Sequence, residues 1–284
     1  MYKTIAQAFK AACLAELQAM KPGNVHIFAD GHGMVVQDFI KSAEVVSHVI
    51  AQPDFSVGDR ILKSIEATYA AVACNTNLGI VLLCAVIVEA ALRNHNLALK
   101  NRIAGVLHGL TIQDATLAFR AISLAKPAGL GDVKSYDVNE SPQVSLLEAM
   151  QAAQDRDLIA QQYSKGFIDI FELGVTSYES AMAQWDNPTW ATTLVYLSFM
   201  AQFPDSHLVR KYGLAIAEQV QQDAKQHLVV LQKLVNPKLY LRTLMIWDAD
   251  LKQRGLNPGT SADLTVATLF VIACETCSLI SSSS

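Results

Sequence analysis

The chain has 284 residues, of which 51% are hydrophobic and 17% are charged, and its formal net charge at pH 7 is −4. This composition excludes an intrinsically disordered protein, because disordered chains have few apolar residues and many charges. The acidic balance argues against a nucleic-acid partner, since a nucleic-acid binder carries an excess of basic residues. We therefore expect a folded protein with a large core.

Helical periodicity runs through nearly the whole chain. The first segment places Ile5, Phe9, Ala12 and Leu17 along one stripe, as an amphipathic helix does. Strict alternation over five or more residues is rare, and Val- and Ile-rich runs between turn signals are scarce, so a sheet is not expected. The predicted helices are residues 4–20, 37–51, 57–72, 76–92, 111–124, 144–154, 157–172, 177–182, 188–202, 206–234, 237–254 and 261–279.

We predict an all-α fold, with a single globular domain of about a dozen helices over residues 1–280 and a disordered tail at 281–284. The sequence contains no Pro-, Gly- or Ser-rich linker and no change in composition that would divide it. Helices are expected to begin at Asn187-Pro188 and Asn236-Pro237, because Asn caps a first turn and Pro fits into it.

The positive mean hydropathy, +0.25, raises the question of a membrane span. The longest apolar runs, residues 78–88 and 264–272, are shorter than the ~18–20 residues that a spanning helix needs. The first twenty residues are amphipathic and lack the features of a signal peptide. We expect a cytoplasmic protein without a membrane partner, whose apolar helices could form either a core or a homodimer interface.

The five cysteines are Cys13, Cys74, Cys84, Cys274 and Cys277. An odd number of cysteines in apolar surroundings indicates reduced, buried thiols. Cys274 and Cys277 form a C-x-x-C motif inside a helical pattern. Because the sequence has no second pair with zinc-ligand spacing, core packing is the favoured interpretation and metal or redox chemistry is the alternative.

Four segments place polar or small residues beside very apolar helices. The first surrounds a Pro-Gly turn, and its residues of interest are Glu16, Lys21, Gly23, Asn24, His26 and Asp30. A helix end stopped by Pro-Gly, with Lys21 near the negative end of the dipole, would explain part of this set.

The second segment, Asn75-Thr76-Asn77-Leu78-Gly79, precedes the most apolar helix. Its N–H groups suit a phosphate, although Asn75 or Thr76 could simply cap the helix.

The third segment is Pro127-Ala128-Gly129-Leu130-Gly131-Asp132, with Asp137 after it. Its glycines permit close approach to a ligand or a tight turn in an ordinary loop. This segment differs from the phosphate-binding loops of familiar nucleotide-binding folds, because no predicted strand precedes its glycines and no Lys-Ser or Lys-Thr pair follows them. The fourth, Asn257-Pro258-Gly259-Thr260-Ser261-Ala262-Asp263, leads into the last predicted helix. A purely structural interpretation is also open, in which the hydroxyl of Thr260 or Ser261 caps the helix and Asp263 interacts favourably with the helix dipole.

Taken in order, these segments resemble the triphosphoribosyl-dephospho-CoA synthase family. The matching stretches are Lys21-Pro22-Gly23-Asn24-Val25, Asn75-Thr76-Asn77-Leu78-Gly79, Gly129-Leu130-Gly131 with Asp137-Val138, and Asn257-Pro258-Gly259-Thr260-Ser261-Ala262-Asp263-Leu264. The resemblance covers essentially the whole chain, including Arg156-Asp157-Leu158. Synthases that serve citrate lyase tend to have the sequence T-H-K-G where this chain has Thr76-Asn77-Leu78-Gly79. Leu78 therefore stands at the position of their lysine. The chain is therefore more similar to a divergent branch of archaea and one-carbon-metabolising bacteria.

The resemblance implies a transferase that uses ATP as a ribosyl donor. The 2′-hydroxyl of dephospho-CoA attacks C1′ of the ATP ribose, adenine leaves, and the triphosphate stays on the transferred sugar. The product is the precursor of an acyl-carrier prosthetic group. Transfer at C1′ passes through an oxocarbenium-like state, which needs a carboxylate and a proton donor for the leaving base. We also expect Mg²⁺, because an acidic chain with few clustered cations must neutralise a triphosphate.

The resemblance suggests a role for each candidate site residue. Asp263, Glu16 and Asp137 are the expected catalytic carboxylates, and Asp263 and Glu16 are also the expected metal ligands. Lys21 and the N–H groups near residues 75–79 are expected to hold the phosphates. The other expected substrate- or phosphate-binding residues are Gly23, Asn24, Asn75, Thr76, Asn77, Gly79, Gly129, Gly131, Asn257, Gly259, Thr260 and Ser261.

Three alternatives stay open from the sequence. The first is a related ribosyl or nucleotide transferase with another acceptor, for example in the assembly of a pterin-type one-carbon cofactor, which Leu78 favours. The second is a non-catalytic helical binding protein, for which the four segments would lie far apart. The third is a metal-dependent hydrolase that cleaves nucleotides without any acceptor.

Overall fold

The computed structural model describes residues 2–93, 97–127 and 142–282, with side chains from residue 3 to residue 276 within those ranges. This part of the chain forms α-helices joined by short connections, and it contains isolated bridges at residues 26–34 but no strand. The all-α prediction is therefore confirmed. None of the described helices is long and apolar enough to cross a membrane.

The structure has the following helices in chain order. They are α1 (Tyr2–Gln18), α2 (Val36–Ile50), α3 (Val57–Val72), α4 (Leu78–Leu92), α5 (Leu99–His108), α6 (Ile112–Ala125), α7 (Leu146–Ala153), α8 (Leu158–Ser164), α9 (Thr176–Trp185), α10 (Pro188–Gln202), α11 (Ser206–Tyr212), α12 (Leu214–Gln232), α13 (Leu241–Gln253) and α14 (Gly259–Ser282). A π-helical turn, Ile170–Val175, precedes α9, and a 3₁₀ turn, Pro237–Tyr240, precedes α13.

Three differences separate these helices from the predicted ones. The predictions lack α5, although its apolar residues have helical spacing. The predicted helix at 157–172 is interrupted at Gly166 and Phe167, whose φ values are 66° and 62°. The predicted helix at 206–234 divides at Gly213, where φ is 85°. A residue with positive φ cannot continue a right-handed helix, so each of these positions ends one.

The predicted helix starts at Asn187 and Asn236 are confirmed. The side chain of Asn187 accepts a hydrogen bond from the N–H of Trp190, and that of Asn236 accepts one from Lys238. At the other end of the chain, α14 continues to Ser282, two residues into the predicted tail. Residues 283 and 284 lie outside the described part of the chain.

The cysteines whose side chains are described are free thiols. Cys84 and Cys274 are buried, as predicted, whereas Cys13 and Cys74 are only half-buried. The side chain of Cys277 lies outside the described residues, so the interpretation of the C-x-x-C motif stays a prediction.

Helix α4 is the centre of the larger core. All of its residues except Gly79, Glu89 and Leu92 are buried, and it packs against α3, α5 and α14. A second core lies between α10, α12 and α13. Helices α10 and α14 contribute to both cores. Because α4 is enclosed by other helices, its amino-terminal turn is the part that can face a ligand.

Replacing Leu83 with alanine should test the central position of α4. Leu83 is fully buried, so Leu83→Ala should lower the free energy of unfolding by about 2–5 kcal/mol, through lost burial and a residual cavity. Urea unfolding followed by circular dichroism measures this change. The control Leu239→Ala changes a leucine that is 75% exposed and should shift stability by no more than about 0.5 kcal/mol. Equal effects of the two substitutions would contradict the central position of α4.

Candidate active site

Four helices begin at the wall of one cavity of about 680 Å³. The cavity is lined by residues from the first turns of α4, α8, α11 and α14. The N–H groups of a first turn have no partner within their helix, and the dipole places positive partial charge there. A cavity bordered by several such ends suits an anionic ligand.

Three of the four sequence segments meet at this cavity. The predicted site residues that line it are Glu16, Asn24, Asn75, Thr76, Asn77, Gly79, Asn257, Gly259, Thr260 and Asp263. Lys21, Gly23 and Ser261 lie next to the wall without lining it. Gly129, Gly131 and Asp137 lie outside the described residues. This convergence disfavours a scaffold protein, for which the segments would lie far apart.

Asp263 of α14 lies against the first turn of α4. A Cβ atom on Gly79 would be only 2.1 Å from Asp263 Oδ2, so this approach requires glycine. Burial, followed by the neighbouring charges of Asp205 and Glu16, raises the pKa of Asp263 well above its usual range. Within the described residues, no hydrogen bond reaches this carboxyl group, which leaves it open to a ligand in the cavity.

A buried chain of hydrogen bonds joins the first and fourth segments. Lys21 Nζ donates to Glu16 Oε1 and, at 2.9 Å, to Asn24 Oδ1. Asn24 Nδ2 then donates to Asn257 Oδ1 at 2.8 Å. Burial raises the pKa of Glu16 and lowers that of Lys21, and the ion pair opposes both shifts. Lys21 thus holds Glu16 and Asn24 at the wall, and its own side chain is only 1% exposed.

The Pro-Gly turn is anchored on α13. Gly23 has a φ of 82°, and a Cβ atom there would lie 2.9 Å from the carbonyl oxygen of Leu256. Its N–H donates to Asp248 Oδ1 at 2.8 Å, and Lys252 Nζ donates to the other oxygen of Asp248 at 3.0 Å. The Gly23 carbonyl accepts a hydrogen bond from His32 Nε2 at 2.7 Å. Gly23 is therefore explained by packing, and the turn places His32 on the cavity wall.

Asp205 joins the first turns of α11 and α14. Its Oδ2 accepts hydrogen bonds from the backbone N–H and the hydroxyl of Ser261, at 2.7 and 2.8 Å. Its Oδ1 accepts the N–H of His207 at 2.9 Å. A Cβ atom on Gly259 would lie 2.6 Å from His207 Nδ1. Ser261 and Gly259 thus fix the position of the two helix ends, and Thr260 lies on the wall beside them.

The polar residues before α4 also have structural partners. Asn75 Oδ1 accepts the N–H of Leu78 at 3.1 Å, which is the capping role considered from the sequence. The hydroxyl of Thr76 lies 2.7 Å from that of Ser42 on α2. Asn77 Nδ2 donates to the hydroxyl of Thr68 on α3 at 3.0 Å. These contacts fix the first turn of α4 at the cavity.

Sequence reasoning missed the basic side chains of the cavity. The basic residues on the wall are His32, Lys126, Arg156, His207, Arg210 and Lys211. They come from the turn before α2, the end of α6, the connection before α8, and α11. The expectation of few clustered cations is therefore wrong at this cavity. His207, Arg210 and Lys211 have helical spacing on α11 and were the local signal, whereas His32, Lys126 and Arg156 lie far from them in the sequence.

Another part of the wall is apolar. Its members include Phe39, Leu82, Phe119, Ile122 and Met150. The cavity thus combines an apolar surface, the carboxyl groups of Glu16 and Asp263, and the basic residues. Ligand sites of this mixed character bind molecules with both apolar and charged parts.

Gly79→Ala should destabilise the protein by about 1–3 kcal/mol, because the added methyl group overlaps Asp263. The control Gly105→Ala lies within α5, where nothing is within 4 Å of the new Cβ, and should be neutral or stabilising by up to about 1 kcal/mol. Urea unfolding compares the two. Adding Asp263→Ser to Gly79→Ala should restore part of the loss. An unchanged loss in the double variant would contradict the contact between these two residues.

Lys21→Met should lower stability by about 3–5 kcal/mol, because it leaves the Glu16 carboxyl buried without its partner. Removing both charges, with Glu16→Gln and Lys21→Met together, should cost less than the single change. Thermal and urea unfolding at neutral pH measure both variants. If the double variant were the less stable one, the ion pair would not be the reason that Lys21 is buried.

Comparison with known proteins is consistent with this geometry. The model of the ATP:dephospho-CoA triphosphoribosyl transferase family matches residues 2–281. A curated relative, 2-(5''-triphosphoribosyl)-3'-dephosphocoenzyme-A synthase of Haemophilus ducreyi, is 32% identical over 88 residues. That match covers 31% of this chain and only 27% of the relative.

A solved structure from Archaeoglobus fulgidus, provisionally described as a triphosphoribosyl-dephospho-CoA synthase, superposes with a TM-score of 0.63. The superposition covers 84% of this chain and 98% of the Archaeoglobus fulgidus chain. Because the two sequences are only 18% identical, this likeness supports the fold alone. The family match, in contrast, spans nearly the whole sequence. The chain therefore belongs to the ATP:dephospho-CoA triphosphoribosyl transferase family.

Proposed function

We propose that this protein transfers the triphosphoribosyl group of ATP to the 2′-hydroxyl of dephospho-CoA and releases adenine. The observation that carries the proposal is the meeting of Asp263, Glu16, Asn24 and Asn257 beside the first turn of α4. The cavity, at about 680 Å³, lies within the range of roughly 300–1,000 Å³ of small-molecule sites. Membership of the family supports the same reaction.

The reaction breaks the bond between C1′ and the adenine nitrogen and forms a bond between C1′ and the acceptor oxygen. The acceptor hydroxyl loses a proton, and we assign its acceptance to Asp263. The departing adenine takes up a proton at the nitrogen that leaves C1′, so that no proton is gained or lost overall. The carboxyl group of Asp263 faces the cavity without a hydrogen-bond partner among the described residues. Glu16 would stabilise the positive charge that develops at the sugar, and Asn24 and Asn257 would orient the ribose hydroxyls. Asp137, outside the described residues, stays a proposed third carboxylate.

Magnesium remains part of the proposal. Among the described residues, no group of three or more His, Cys, Asp or Glu side chains is arranged to hold a metal. Mg²⁺ is commonly bound by one or two carboxylates together with substrate phosphates and water, a mode that Asp263 and Glu16 fit. When bound, the ion would neutralise charge on the triphosphate.

The apolar part of the wall favours an acceptor with an uncharged arm, such as dephospho-CoA. Leu78 also lines the cavity, at the position where citrate-lyase synthases have a lysine. That observation supports a second candidate, transfer of the same group to another acceptor, including one for a pterin-type cofactor. A cytoplasmic location suits these substrates. The homodimer stays a prediction.

Adenine release from ATP and Mg²⁺, followed by chromatography with and without dephospho-CoA, tests the function. We expect release only with the acceptor, and a product that retains the triphosphate. Release without any acceptor would indicate a hydrolase instead. ATP-dependent thermal stabilisation without release would indicate the second candidate, with another acceptor.

Asp263→Asn should lower the rate of adenine release by about 10²–10⁴-fold, the usual contribution of a positioned proton acceptor. The control Asp54→Asn changes an exposed aspartate outside the cavity and should leave the rate unchanged. Circular dichroism checks that both variants are folded. A folded Asp263→Asn variant with normal turnover would remove Asp263 from the catalytic step.

A further inference from the structure

Four cations and two imidazoles line the cavity. We call Lys126, Arg156, Arg210, Lys211, His32 and His207 the basic wall. His207, Arg210 and Lys211 lie together on α11, and the fold brings His32, Lys126 and Arg156 to the same cavity. The sequence as a whole is acidic, with a net charge of −4, so this clustering of cations is a local feature.

The charges of the basic wall are only partly balanced by the protein. Arg210 forms an ion pair with Asp157, which also caps α8. Lys126, Arg156 and Lys211 make no ion pair within the part of the chain that the structure describes. Glu16 and Asp263 also line the cavity, and Glu16 is paired with Lys21. Like charges that share a concave wall raise the local potential and attract an anion.

The basic wall adjoins the proposed reaction centre. His207 contacts Gly259, and its backbone N–H lies 3.2 Å from the Thr260 hydroxyl, one turn before Asp263 on α14. The positive charge of Arg210 acts on the Asp263 carboxyl. A ligand whose sugar lies at Asp263 would therefore extend an attached phosphate chain toward Arg210 and its neighbours.

We infer that the basic wall binds the triphosphate chain of the donor nucleotide and selects donors by their number of phosphates. The inference rests on the proposed function and names the part of the cavity that holds the donor. A triphosphate carries about four negative charges and an internal diphosphate about two. Three cations that form no ion pair among the described residues, together with Arg210, match the longer chain better.

The same geometry gives Lys21 a different role from phosphate binding. Its side chain is 1% exposed, and its ammonium group is hydrogen-bonded to Glu16 and Asn24. Lys126, Arg156 and Lys211, in contrast, are exposed at the cavity and can move toward a ligand. Arginine and lysine are well suited to this task, because hydrogen bonds from a cation to phosphate are stronger than neutral ones.

Isothermal titration with inorganic tripolyphosphate and pyrophosphate tests the inference without requiring turnover. The wild-type protein should bind tripolyphosphate more tightly than pyrophosphate. The double variant Arg156→Ala with Lys211→Ala should weaken tripolyphosphate binding by about tenfold or more, as expected for lost hydrogen bonds to a charged group. It should also reduce the preference over pyrophosphate. In the activity assay, its KM for ATP should rise while kcat changes little.

The matched control is Arg120→Ala with Lys225→Ala. Both residues are exposed on helices, α6 and α12, and neither lines the cavity. This control loses the same two charges and should bind tripolyphosphate as the wild type does. An equal loss of affinity in both double variants would indicate a general charge effect and overturn the inference.

Competition identifies which phosphate chain the basic wall takes. Tripolyphosphate should be displaced by ATP and should not be displaced by dephospho-CoA. Displacement by dephospho-CoA alone would overturn the inference, because the wall would then hold the diphosphate of the acceptor.

The inference and the proposed function can fail separately. Tripolyphosphate binding that depends on Arg156 and Lys211, without acceptor-dependent adenine release, would support the phosphate site and reject the proposed reaction. Adenine release with unchanged kinetics in the Arg156→Ala, Lys211→Ala variant would support the reaction and reject the phosphate site.

Discussion

The contact between the first turns of α4 and α14 determines how the site is built. Helix α4 is enclosed by other helices over most of its length, so a ligand can reach it only near its amino-terminal end. There Gly79 lets the Asp263 carboxyl approach the helix more closely than any side chain at residue 79 would allow. A carboxyl group thereby lies beside N–H groups and positive partial charge, in surroundings that raise its pKa.

Charged residues serve two different purposes around this contact. The pair of Lys21 and Glu16 is buried, and it connects through Asn24 to Asn257 across more than 230 residues of sequence. Its value is geometric, because a buried ion pair contributes little net stability but holds its members in one arrangement. The cations of the basic wall are more exposed and only partly paired, which leaves them free to bind an anion.

Family membership and cavity geometry answer different questions. The family match covers nearly the whole chain and identifies the family, whereas the individual relative from Haemophilus ducreyi is matched over about a quarter of its length. The geometry places carboxyl groups, an apolar surface and cations around one cavity. Leu78 also lies on the wall of this cavity, and the identity of the acceptor is the central functional question.

The sequence by itself determined the helical class, the capped starts at Asn187 and Asn236, and the three described segments that border the cavity, because periodicity and turn chemistry are local properties. It did not reveal the helix breaks at Phe167 and Gly213, where the backbone has a positive φ. Only the tertiary structure decided that Lys21 is a buried partner of Glu16, and that Arg156 and Lys211 share a wall. Their proximity depends on helices far apart in the chain, and no local spacing encodes such contacts.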